Sequence, residues 1–342
     1  MNGLEGALRT LAEARGLTAE EMKSALAIVM SGAGTPVQVG GFLMGLRVKG
    51  ESVEEMVAAA QVLRDLAVPV TVADRRHLID TCGTGGDGAS TFNISTGAAL
   101  VCACAGARVA KHGNRSVSSR SGSADVLEAA GVVLDLDPAL VGRCIDDVGI
   151  GFLFAQRHHE AMRHAAVARK ELGVRTLFNL LGPLTNPARA PRQLVGVFAD
   201  ALLEPFASAL RDLGSEHALV VHAEDGLDEI SPGAPTAVCE WRAGALRRYR
   251  IEPADFGLTP GDIGALRVAD AAESLALLRA ALAGGDGVAG TAIALNAGAG
   301  LYVAGLAPDL PAGIARARAV LQAGSALQKL AEWAAFTRAH AS

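Results

Sequence analysis

Leu4, Leu8 and Leu11 recur on one helical face, and that spacing predicts an amphipathic helix at the start of the chain. Thr18 with Glu21, and Ser52 with Glu55, have the spacing of a capping box, in which two side chains satisfy free backbone amides at a helix start. Between them Thr35 and Pro36 open a third helix, because proline fits the first helical position, where no amide bond is lost. The helix after Ser52 carries Met56, Leu63 and Leu66, and no strand is expected before Pro69. Beyond it the pattern changes. Short apolar segments at Leu78–Asp80, Arg108–Lys111, Val132–Leu136, Gly149–Phe154, Leu194–Val197 and Ala218–His222 alternate with helices, one from about Ser95 and another over Leu202–Leu213. Such alternation predicts the α/β class: a large domain over 69–342 with a mostly parallel sheet flanked by helices, preceded by a small helical unit over 1–68. Ligands of such sheets gather at the carboxyl ends of the strands.

Three glycine-rich or polar segments follow these strands. In Asp80–Thr96, DTCGTGGDGASTFNIST, Gly83, Gly85 and Gly86 remove side chains where backbone amides must approach an anion. Ser95 and Thr96 then stand at a helix start whose free amides favour negative charge. A tight structural turn with an N-cap would also account for GTGGD alone. In KHGNRSVSSRSGSAD, the cationic or potentially cationic Lys111, His112, Arg115 and Arg120 are interleaved with Asn114, Ser116, Ser118, Ser119 and Ser123, a density suited to a phosphate ester or pyrophosphate. A solvated surface loop explains any one of these residues but not their convergence. In HAEDGLDEIS, the adjacent Asp228 and Glu229 repel each other unless they sit apart in water or share a cation, and hard oxygen donors suit magnesium. An acidic surface turn is the alternative for this segment by itself. A fourth segment, 158–187, carries Arg163, Arg169, Lys170 and Arg175, and any of its guanidinium groups could clamp a carboxylate with two parallel bonds. His158, His159 and His164 have no acid or thiol partner in the sequence that would make a nucleophilic or zinc site.

Composition narrows the class further. At 342 residues the chain exceeds the size of one ordinary core, so a second unit and a cleft between the two are expected. The formal net charge of −5 gives no positive field for a nucleic-acid backbone. Five cysteines without ligand spacing read as reduced thiols, and the start of the chain has neither a basic leader nor an apolar signal core, so a cytoplasmic location is expected. Gly287–Pro308 runs without a charge, but it contains Asn296 and several glycines, so it reads as a buried helix or helix pair rather than a membrane span.

In this order, GTGGD, NIST, KHGNR, SGSAD, RTLFNLLGPLTNP and DGLDE resemble the anthranilate phosphoribosyltransferase family, with matches from TPVQVGGFLMGLRVKGES to LNAGAGLYVAG. The resemblance implies a helical lobe completed by helices inserted near 160–190, and a homodimer through that lobe. It implies transfer of the 5-phosphoribosyl group of 5-phosphoribosyl 1-pyrophosphate (PRPP) to the amine of anthranilate, a step of tryptophan synthesis. PRPP is thereby assigned to Gly83, Gly86, Asp87, Thr91, Asn93, Ile94, Ser95, Thr96, Lys111, His112, Gly113, Asn114, Arg115, Ser116, Val117, Ser118, Ser119 and Ser123. Anthranilate falls to Gly83, Asn114 and Arg169, and magnesium, as two ions with PRPP, to Ser95, Asp228 and Glu229. Lys111, Arg169, Asp228 and Glu229 are the catalytic candidates. The chain departs from the family pattern at Glu160, where proline is usual, at Arg120, where lysine is commoner, and at Ala223, where glycine is commoner. Two other readings keep the fold: a pyrimidine nucleoside phosphorylase, which usually has KHSxR and needs no DGLDE pair, and a non-catalytic nucleic-acid-binding relative, which would carry a basic surface.

Overall fold

The computed structural model describes residues 3–115, 121–284 and 286–341. Four helices come first: α1 (Leu4–Ala12), α2 (Ala19–Ser31), α3 (Pro36–Lys49) and α4 (Val53–Leu66). Both expected capping boxes form, and Thr35 adds a third with Gln38. The α/β part then runs β1 (Leu78–Gly83), α5 (Ile94–Cys104), β2 (Arg108–Gly113), α6 (Ser123–Ala129), α7 (Pro138–Val148), β3 (Ile150–Phe154) and α8 (Ala155–His158). It continues through α9 (Arg163–Leu172), α10 (Leu177–Leu181), β4 (Arg192–Gly196), α11 (Leu203–Asp212), β5 (His217–Ala223), β6 (Thr236–Arg242) and β7 (Ala245–Ile251). Helices α12 (Ala271–Gly284), α13 (Gly287–Val303), α14 (Leu310–Gln322) and α15 (Ser325–His340) close the chain.

One seven-stranded sheet has the order β3-β2-β1-β4-β5-β6-β7, with β1 to β5 parallel and β6 and β7 antiparallel. Its two faces bury different partners. Ile79, Val109, Leu194, Leu219 and Val221 pack on one side with α5 and the closing helices, around Trp333. Val195, Val197, Ala218 and Val220 pack on the other with α11 and α1 to α4, joined by Ala165, Ala168 and Leu177 to Leu181 of the inserted helices. The period-two alternation along each strand makes this division, since successive side chains point to opposite faces. Arg64 reaches from α4 to the carbonyls of Leu184 (2.7 Å) and Leu213 (3.2 Å), tying the helical unit to the sheet side.

The structure corrects two expectations. Val132–Leu136 is not a strand: Val132, Leu134 and Leu136 are buried in alternation, but the segment pairs with no neighbour and simply extends from α6 to α7. The β6–β7 hairpin was not foreseen. The uncharged run Gly287–Pro308 is mostly the buried helix α13, and among the described residues no helix is long and apolar enough to cross a membrane.

Candidate active site

The parallel strands β1 to β5 end at Gly83, Gly113, Phe154, Gly196 and Ala223, so the loops that follow gather on one face of the sheet. Strand order reverses beside β1, whose neighbours are β2 and β4, and that is where crevices open in such sheets. The Asp228 loop, after β5, lies over the ends of β1 and β4. A Cβ at Gly83 would collide with Asp228 Oδ2, and one at Gly196 with the Asp228 carbonyl oxygen, so only glycine at both positions leaves room for this acid.

Both carboxylates are held by the segments expected to bind phosphate. Asp228 Oδ2 accepts from the Gly85 amide at 2.6 Å, and Glu229 Oε1 from the Ser95 amide at 3.1 Å, at the start of α5. Lys111 is buried and donates to the Thr81 carbonyl (2.7 Å) and Ser95 Oγ (3.2 Å). Burial raises the pKa of Asp228, and the nearby Asp87 raises it further. Burial likewise raises that of Glu229, with Asp228 adding to the effect. Lys111 is pushed down by burial, against the opposing pull of Asp80, Cys82 and Glu229. The cluster is thus short of positive charge. Among the described residues no three His, Cys, Asp or Glu side chains form a ready-made cage for a metal. The donors present, two carboxylates and the Ser95 hydroxyl, are hard oxygens, and they fit magnesium, an ion that keeps several waters and binds substrate phosphates rather than an all-protein cage.

A second buried layer supports these groups. Asp80 accepts from the His112 amide (3.1 Å) and from Asn186 Nδ2 (2.7 Å), which also donates to the Ala110 carbonyl (2.8 Å). Asn296, on α13, is fully buried: its Oδ1 accepts from the Ile230 amide and its Nδ2 donates to the Ile230 carbonyl, each at 2.9 Å. That pair of bonds fixes the backbone next to Glu229. Sequence reasoning missed Asp80, Asn186 and Asn296 in this role. An isolated asparagine inside an uncharged helix is the one sequence signal for Asn296.

His112 Nδ1 lies 3.1 Å from the Gly182 carbonyl, and burial drives its pKa well below the usual value. The ring is therefore neutral with its proton on Nδ1, which leaves Nε2 as a buried acceptor with no partner among the described residues. His159 stands beside it, ring centroids 5.2 Å apart, with its pKa lowered by burial to about 4 and its Nε2 also without a partner among the described residues. The buried Thr96 hydroxyl likewise has no partner among them.

The remaining expected residues are distributed around this centre. Asp87 Oδ1 accepts from the Ala89 amide, Thr91 bridges Arg267, and Asn93 Oδ1 accepts from the Ser274 and Ser121 hydroxyls. Ile94 is buried at the start of α5, and Gly113 faces Ser123 Oγ, which donates to the Asn114 carbonyl. The exposed Asn114 side chain accepts from Gln156. Arg115 is turned aside: its guanidinium pairs with Asp125 (3.1 Å) and Glu128 and lies over Phe154. Arg169, on α9, lies over the Phe178 ring at 5.2 Å with no ion-pair partner among the described residues, and burial lowers its pKa. Glu160 is exposed at the start of a short 3-10 turn, Glu160–Met162. Ser116, Val117, Ser118, Ser119 and Arg120 lie outside the described residues.

Comparison with known proteins agrees with this layout. Residues 6–67 match the helical bundle domain of a glycosyl transferase family, and residues 75–327 its a/b domain. The anthranilate phosphoribosyltransferase of Thioalkalivibrio sulfidiphilus is 56% identical over 334 residues, which is 98% of each chain. That of Methylococcus capsulatus is 55% identical over 335 residues, again 98% of each. The chain belongs to the anthranilate phosphoribosyltransferase family. The crystal structure of the Thermus thermophilus member superposes with a TM-score of 0.91 at 45% identity, covering 97% of this chain and 99% of that one. The Saccharomyces cerevisiae member, solved in complex with PRPP and Mg, gives 0.89 at 26% identity over 98% of both chains.

Proposed function

We propose that the chain carries out its family's reaction at the carboxyl face of β1 to β5, transferring the 5-phosphoribosyl group of PRPP to the amine of anthranilate with release of pyrophosphate. The carrying observation is the buried Asp228 beside the half-buried Glu229, short of positive charge and hydrogen-bonded to the glycine loop and the α5 N-terminus. PRPP is assigned to Gly83, Gly86, Asp87, Thr91, Asn93 to Thr96, Lys111 to Ser119 and Ser123; anthranilate to Gly83, Asn114 and Arg169. Ser95, Asp228 and Glu229 would hold magnesium. The two carboxylates bond to different backbone segments, which favours two ion positions over one. Magnesium, when bound, supplies charge that neutralises the departing pyrophosphate.

In the transfer the amine nitrogen forms a bond to the anomeric carbon as the carbon–oxygen bond to pyrophosphate breaks. Negative charge grows on the leaving oxygen, and Lys111, fixed by Thr81 and Ser95, brings a buried positive charge to that side. Arg169 offers a planar guanidinium free of carboxylate partners among the described residues, suited to the anthranilate carboxylate. The Nε2 atoms of His112 and His159, without partners among the described residues, are acceptors that can orient the amine hydrogens. No covalent enzyme intermediate is needed, and the amine proton becomes acidic once nitrogen bonds to carbon. Purified protein with PRPP and Mg2+ is expected to consume anthranilate, followed by its fluorescence, with pyrophosphate released. A folded protein that consumes none overturns this function.

The helical unit over 1–68, completed by the helices near 160–190, is read as a lobe on the domain over 69–342. Val37 and Val48 on α3 are 85% and 82% exposed, and Val167 on α9 and Val174 in the connection after it are exposed as well, which supports a homodimer through this lobe. Sedimentation at a monomer's mass would refute it. Five free cysteines support a cytoplasmic location, which cell fractionation tests.

A further inference from the structure

Arg175, in the connection from α9 to α10, lies outside the residues assigned to either substrate. Its guanidinium nevertheless grips the glycine loop. Nη2 donates to the Gly86 carbonyl, and a Cβ at Gly86 would stand 3.2 Å from both Nε and Nη2, so the group is packed close against that residue. The guanidinium also lies over Phe198, 4.0 Å from the ring centroid. Phe198 is itself fastened to the loop, because its amide donates to Thr84 Oγ1 (3.1 Å) while the Thr84 amide donates to the Gly196 carbonyl (2.9 Å). Platform, cation and loop are therefore linked by direct contacts.

This matters because the two glycines leave the loop's backbone freer than other residues would. Gly85 and Gly86 have φ of +68° and +76°, and with no side chains the peptide units here can rotate at little cost. On one side the Gly85 amide is tied to Asp228. On the other, the peptide joining Gly86 to Asp87 is trans, so its C=O and N–H leave opposite edges of one plane. A cation on the Gly86 oxygen turns the Asp87 N–H away from Arg175 and, by polarising the amide, makes it a stronger donor.

We infer that Arg175 is a positioning residue for PRPP: it locks the Gly86–Asp87 peptide in the orientation that presents the Asp87 amide to the pyrophosphate. The inference rests on the reading of Gly83–Thr96 as the PRPP cradle. Only Gly173 and Val174 separate Arg175 from α9, so the helix that carries Arg169 also anchors the clasp.

The test is Arg175→Ala and Arg175→Lys, compared with wild type by steady-state kinetics, by calorimetric titration with PRPP and Mg2+, and by thermal melting. Loss of one charge-assisted contact to the loop is expected to raise both KM and Kd for PRPP about tenfold or more in Arg175→Ala. The KM for anthranilate and the melting temperature should stay near wild type. Arg175→Lys keeps a donor but loses the stacked plane, and should recover part of the PRPP affinity. Unchanged PRPP affinity in Arg175→Ala overturns the inference. So does an equal rise in both KM values with a lowered melting temperature, which would mark a merely structural role. Failure of wild type to bind PRPP would instead remove the cradle reading beneath it.

Discussion

The two ends of β5 each bury carboxylate charge and treat it in opposite ways. At the amino end, Glu240 is 6% exposed and fully occupied: Oε1 accepts from His217 Nε2 (2.9 Å) and the Tyr302 hydroxyl (2.7 Å), and Oε2 from the Tyr249 hydroxyl (3.1 Å). Burial alone would raise its pKa, but the bonds from His217 and the two tyrosines outweigh that and hold it below the usual value. At the carboxyl end, Asp228 and Glu229 each accept a backbone bond, only Glu229 shares Lys111 with Asp80, and both pKa values are pushed up. A buried ion that is satisfied within the chain holds structure together. One left partly unsatisfied costs stability until a ligand completes it, and that is the physical mark of a functional site.

The largest test of this contrast is Asp228→Ala combined with Glu229→Ala. Without the ligands for magnesium, turnover of PRPP and anthranilate is expected to fall by about a thousandfold or more. The metal-free protein should melt no lower than wild type, because the substitution removes buried charge that is poorly paired. Full activity would refute the metal role, and a fall in melting temperature would show that the pair is structural after all. Glu240→Ala should do the reverse. It strands the buried His217 and two half-buried tyrosine hydroxyls, so unfolding free energy measured in urea is expected to drop by about 2–4 kcal/mol while kcat stays near wild type. Wild-type stability in that variant would erase the distinction between the two ends.

What the sequence disclosed of these regions depended on how far apart the partners lie along the chain. Thr18 with Glu21 and Ser52 with Glu55 are three residues apart and could be read as capping boxes directly. The glycine loop and the adjacent Asp228 and Glu229 were legible for the same reason. Asp80 with Asn186, Ile230 with Asn296, and Gly86 with Arg175 are partners only because the sheet brings them together, and no local spacing announces them. Arg115 was expected among the phosphate ligands, but its guanidinium faces Asp125 and Glu128, whose helix α6 begins just beyond the loop. The β6–β7 hairpin escaped for a conformational reason. Its two-residue turn has Ala243 at φ +50° and Gly244 at +82°, a pair of positive values ordinarily flagged by Asn-Gly or Asp-Gly, and an alanine there gives no such signal. Val132–Leu136 failed in the opposite direction, since its alternation correctly marked burial but alternation alone does not supply a hydrogen-bonded neighbour.

The smallest expected effect is on the pH dependence of stability in metal-free protein, and here the two ends of β5 should pull in opposite directions. Asp228 and Glu229 have folded-state pKa values above their ordinary 3.8 and 4.5. Above those raised values the folded chain bears the cost of two charges partly withdrawn from water that the unfolded chain ionises freely. As pH falls toward the ordinary range the folded state takes up protons that the unfolded state does not, and stability rises by at most about 1.4 kcal/mol per pH unit per proton. Glu240, held below its ordinary 4.5, contributes stability above that value, and the contribution is lost as pH falls through its folded-state pKa. The difference in unfolding free energy between wild type and the Asp228→Ala, Glu229→Ala variant, measured in urea at a series of pH values, should therefore shift in favour of wild type on acidification. The corresponding difference for Glu240→Ala should hold above pH 4.5 and shrink below it. If both differences are flat across the series, the carboxylates at the two ends are equivalent, and the raised proton affinity of Asp228 and Glu229 cannot be what sets the carboxyl end apart.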